Sequence, residues 1–132
     1  MESTFTGRKD IRRDGQDHFA EVTIRVRPSQ PPSEVTLATD VLEVLGAVFG
    51  ADFEYQRHNV WAAIAAHIDG VTRYTAELPH VGKTFFHAEV VRVLVSGNAG
   101  REVSGFLLSV AGMDAFGEYL EAWKKQKGTS YF

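Results

Sequence analysis

The chain has 132 residues, 44% of them hydrophobic and 23% charged, with a formal net charge of −3. That length and balance predict one globular domain over residues 1–132 and exclude a uniformly basic nucleic-acid coat. There are no cysteines, which excludes disulfides, thiolate catalysis and cysteine-held zinc or iron–sulfur centres.

In chain order, the acidic, polar start MESTFTGRKD does not read as a secretory signal, and no apolar run reaches the roughly 18 residues of a membrane span. The expected location is therefore the cytoplasm, without membrane contact. Within that start, STFTGR reads as a short strand. Arg8, Lys9, Arg12 and Arg13 follow, clustered around Asp10. Such a cluster suits phosphate pairing, although charge runs this short are more often a solvated surface turn. HFAEVTIRVR is the clearest strand: Ala20, Val22, Ile24 and Val26 alternate with Glu21, Thr23, Arg25 and Arg27. Period two means one buried face and one wet face. The Pro-rich RPSQPPSE reads as a rigid connection, and EVTLATDVLEVL, rich in β-branched and apolar residues, as a further strand ending in a glycine bend at GAVFGA.

Residues 52–69 carry helical spacing, with Phe53, Val60, Trp61, Ile64 and Ile68 on one stripe, Asp52 as N-cap and Gly70 as stop. Next, HVGKT has the Gly-Lys-Thr end of a phosphate loop, but Glu77 stands where the first glycine belongs and the segment leads into a strand, so no nucleotide site is expected. That strand, FFHAEVVRVLV, is apolar on both faces and reads as central. SGNAG then forms a nearly side-chain-free loop with one following cation, Arg101. A last helix over residues 104–125 takes Phe106, Val110, Met113, Leu120 and Trp123 as its buried stripe, with Lys124 and Lys125 in its last turn. Trp61 and Phe116 are expected in the core.

The order β-β-β-α-β-α predicts an α+β fold, one sheet with two helices on one face. Two stretches carry a family resemblance. GQDHFAEVTIRVRP places Gly15, Gln16 and, after two extra residues (Asp17 and His18), Phe19, Ala20, Val22, Ile24, Val26 and Pro28 in the pattern of a Gly-Gln-aromatic strand that ends in proline. SGFLLSVAGMDAFGEYLEA places Ser104, Ala111, Gly112, Ala115 and Phe116 at matching spacing in a helix. With EYQRHNVWAAIAAHIDG between them, the chain resembles domain IV of the elongation factor G family of translational GTPases, over about residues 4–122, as a free-standing relative without the GTPase domain. The resemblance implies a two-layer β(3)-α-β-α split fold with a left-handed β-α-β crossover and one mixed sheet. It also implies that two tip loops, over residues 9–17 and 96–103, reach ribosomal or other structured RNA. Where the family often carries a tip histidine, this chain has Ala99. The RNA-contact candidates are then Arg8, Lys9, Arg12, Arg13 and Arg101, with Arg25 and Arg27 as strand-face cations.

Nothing in the sequence points to catalysis. The five histidines (His18, His58, His67, His80, His87) show no short ligand spacing, and Gly-x-Ser-x-Gly is absent. No metal, nucleotide or organic cofactor is expected. Two readings stay open beside an RNA-binding domain: a protein-interaction or homo-oligomerising module that keeps only the fold, and a small-molecule enzyme without a recognisable motif.

Overall fold

A computed structural model of the protein describes residues 3–127; Met1 and Glu2 of the acidic start lie outside them. Four strands, β1 Thr4–Arg13, β2 Gln16–Ser29, β3 Glu34–Leu37 and β4 Phe85–Val95, form one mixed sheet in the order β1-β2-β4-β3. β2 runs antiparallel to β1 and to β4, while β3 lies parallel to β4. Helices α1 Thr39–Phe49, α2 Phe53–Ala76 and α3 Arg101–Lys127 pack on one face of it. The expected α+β split architecture is present, with three helices where the sequence predicted two.

The alternation in β2 sets this layering. Ala20, Val22 and Ile24 are fully buried under the helices, whereas Glu21, Thr23 and Arg25 line the open face. β4 is central, as its apolar run implied, and buries Phe86, Ala88 and Val90 on the same side. The register with β2 then shifts at Thr23/Ile24, so that Val91 is the extra residue and Val93 resumes the buried phase. Phe86 makes T-shaped contacts with Phe116, Tyr119 and Trp123 at centroid distances of 5.6, 5.7 and 5.7 Å, which makes it the hub of the core. Gly7 lets α3 lie directly on β1, since a Cβ there would run into the backbone of Ala111 and Ala115.

Several boundaries differ from expectation. EVTLATDVLEVL is not one strand: β3 takes only Glu34–Leu37, and the rest is α1, with Asp40 in its first turn and Val41 and Leu45 buried one turn apart. Burial at i and i+4 outweighs the β-branched composition there. Gly70 does not stop α2, which continues to Ala76. The stop comes where Leu78 precedes Pro79 and loses access to the helical region. Thr72 and Thr75 tie this end to the start of β4. The Thr72 hydroxyl donates to Thr84 O at 2.6 Å, and Thr84 N–H donates to Thr75 Oγ1 at 3.1 Å. Asp52 makes no side-chain cap. Trp61 is 40% exposed rather than core, and Phe106 and Met113 are 53% and 41% exposed. The buried stripe of α3 instead holds Leu107, Leu108, Ala111, Ala115, Phe116, Leu120 and Trp123. No helix among the described residues is long and apolar enough to cross a membrane.

Candidate functional site: the loop end of the sheet

The expected loop over residues 9–17 is a hairpin. Lys9 to Arg13 belong to β1 and Gln16 and Asp17 to β2, and the pairing of Arg13 with Gln16 leaves only Asp14 and Gly15 in the turn. Both have positive φ, 52° and 77°. That is the geometry of a two-residue type I′ connection, for which Asp-Gly is the favoured pair. The signal is present in the sequence as an Asp-Gly between two strands.

The second tip segment is shorter than expected, because α3 already begins at Arg101. Ser96 prolongs the β2–β4 ladder: its N–H donates to Phe19 O at 3.0 Å and its Oγ accepts from Phe19 N–H at 3.0 Å. Gly97 lies against Val48 of α1, where a Cβ would come within 2.9 Å of Val48 Cγ1. Gly100 turns the chain with φ 91°. The start of α3 is then fastened to α2. Buried Gln56 donates from Nε2 to Arg101 O at 2.9 Å and accepts from Asn59 Nδ2 at 3.2 Å. The Arg101 guanidinium lies 3.9 Å above the Tyr55 ring and 3.4 Å from Asp52. Gln56 is a positioning residue that its place in a helical stripe does not distinguish from a surface glutamine.

These two segments meet in a groove of about 570 Å³, lined by Arg13, Asp14, Gln16 and His18 from the hairpin and by residues 98–103 from the other side. Of the sequence candidates, Arg13 and Arg101 are brought together here. Arg12 sits beside the turn, bonded to Asp17 at 3.2 Å and to Gly15 O at 3.3 Å. Arg8 lies further down the open face, 3.0 Å from Asp10, 3.5 Å from Glu21 and 4.3 Å above the Phe19 ring. Lys9 is half-buried on the helix side, in register with Ala20. Arg25 pairs with Glu89 at 3.1 Å, and Arg27 lies toward the far end of β2. Arg13 itself is 3.9 Å from Asp14. The cations of this end are therefore interleaved with acids rather than massed.

His18 is the residue that sequence reasoning missed. It extends the buried phase of Ala20 and Val22 by one step and is only 4% exposed, yet it lines the groove. Its Nδ1 is buried without a hydrogen-bond partner among the described residues, as is the hydroxyl of Ser104 in the first turn of α3. Elsewhere, His67 packs its ring edge-on to Phe116 at 5.0 Å, and burial lowers its pKa from 6.5, partly opposed by a hydrogen bond to the Met113 backbone. Among the described residues, no three His, Asp or Glu side chains converge to hold a metal.

No protein family and no curated protein matches the chain. Among solved structures it is similar to a protein from Thermus thermophilus, at 15% identity and a TM-score of 0.47, over 89% of this chain and 16% of that one. The chain thus spans a small fraction of that protein's length.

Proposed function

We propose that the chain is a relative of domain IV of the elongation factor G family that binds structured RNA or a ribosomal surface through its loop end, without catalysis and without a cofactor, in the cytoplasm. One observation carries this reading: two segments far apart in sequence, the Asp14–Gly15 turn and residues 98–103, line one groove with Arg13 and Arg101 on either side of it. Exposed ion pairs contribute little to stability, so these guanidiniums can exchange Asp14 and Asp52 for phosphates at small cost. Gel shifts and ribosome pelleting across a salt series test it. Wild-type affinity should fall with salt, and replacing Arg13 and Arg101 together by Ala should weaken binding and flatten the log–log salt slope by about one to two units. Absence of any shift at low salt overturns the reading.

A second reading, self-association, is favoured by Phe106 and Met113. They stand exposed two helical turns apart on the outer side of α3. Light scattering that finds a dimer, and a monomer after Phe106→Ser, would support it; a wild-type monomer removes it.

A further inference from the structure

We propose that the first turn of α3 and His18 together form a binding site for a phosphate group. The inference deepens the RNA reading and rests on it only for the source of that phosphate. The hydrogen-bond ladder of α3 opens with Ser104 N–H donating to Gly100 O at 2.9 Å. The amides of Arg101, Glu102 and Val103 therefore precede the ladder, at the positive end of a helix 27 residues long. All three residues line the groove, and the loop before them offers only Ser96, Gly97, Asn98, Ala99 and Gly100, with no acid and no bulk. Backbone donors and dipole together make such an end receptive to an oxyanion.

The independent observation is His18. It enters the same groove from the opposite segment, is more than nine-tenths buried, and holds Nδ1 without a partner. A buried nitrogen left unpaired is destabilising, and an imidazole that donates to a phosphate oxygen removes that penalty. Arg13 adds a cation from the hairpin. Asp14 and Glu102 line the groove as well. Their charges oppose a dianion more than a monoanion, so the geometry favours the singly charged diester of a nucleic-acid backbone over a terminal monoester.

The test uses the full chain labelled with nitrogen-15, titrated with inorganic phosphate at constant ionic strength. Saturable shifts of the Arg101, Glu102 and Val103 amides and of the His18 ring are expected. His18→Phe keeps the aromatic volume and removes both nitrogens, and should weaken the response about tenfold. Arg13→Ala, at an exposed position that folding does not depend on, should weaken it about threefold, and decides the matter if His18→Phe does not fold. A short 5′-hydroxyl RNA is compared with its 5′-phosphorylated form: equal shifts at these amides assign the site to the diester, and shifts with the phosphorylated form alone assign it to the monoester. Shifts that stay linear and scatter over the surface cations, with residues 101–103 unmoved by phosphate and by RNA, overturn the site. If structured RNA still binds in that case, the RNA reading survives without the site. If phosphate moves these amides and no RNA binds, the site survives without the RNA reading.

Discussion

Phe116 and Trp61 show how far single positions can be read from periodicity. Phe116 is fully buried against Phe86 and His67, and truncation to Ala should cost about 3–5 kcal/mol in denaturant melts. Trp61 flanks the buried stripe of Val60, Ile64 and Ile68 and covers the β3 side of α2 beside Val35 and Phe85. Its replacement by Ala should cost under about 1.5 kcal/mol. A 100° step per residue separates position 60 from 61, and an apolar side chain at the margin of a stripe gives no sign of which side it falls on. His67 carries a prediction about pH. Its folded pKa lies below its unfolded value, so the unfolded chain takes up the proton first and stability rises with pH through that window. The contribution is fully present above pH 6.5 and is lost as pH falls through the folded pKa. A His67→Phe variant should show a flatter acid limb below pH 6.5 when melting midpoints are compared.

At the scale of elements, the strands with strict alternation and the two long helices were legible, and α1 was not. TDVLEVLGAVF has β-branched residues at Val41, Val44 and Val48, and composition alone argues for a strand; only the burial of Val41 and Leu45 on α1 decides it. Glycines were the other source of error, because their role depends on φ and surroundings. Gly70 lies inside α2 with open space where a Cβ would go, so Gly70→Ala should raise stability by about 1 kcal/mol. Gly15 also faces open space but holds φ 77°, so Gly15→Ala should lower stability by about 1 kcal/mol. Opposite signs in the same thermal-melt series would confirm both assignments. For the candidate site, the cations and the small loop were readable from the sequence. The pairing of each arginine with an acid, and the buried His18, required the fold.

At the scale of the molecule, the contacts that close the core are distant in sequence. β1 packs against α3 through Gly7, Ala111 and Ala115, and Phe5 meets Tyr119 edge-on at 5.5 Å. Gly7→Val should therefore separate the first strand from the last helix and cost about 3 kcal/mol or more, read as a large fall in melting temperature with the β1–α3 amides losing hydrogen-exchange protection first. The same arrangement has a consequence for synthesis. As the chain emerges from the ribosome, the β1–β2 hairpin is complete after residue 29, but α3, which covers its apolar side, is made only from residue 101 onward. Until then Ala20, Val22 and Ile24 have no cover from α3, and the half-made chain carries a sticky sheet face. Wild-type chains arrested before residue 101 should accordingly recruit holding chaperones, and release them once α3 has been translated.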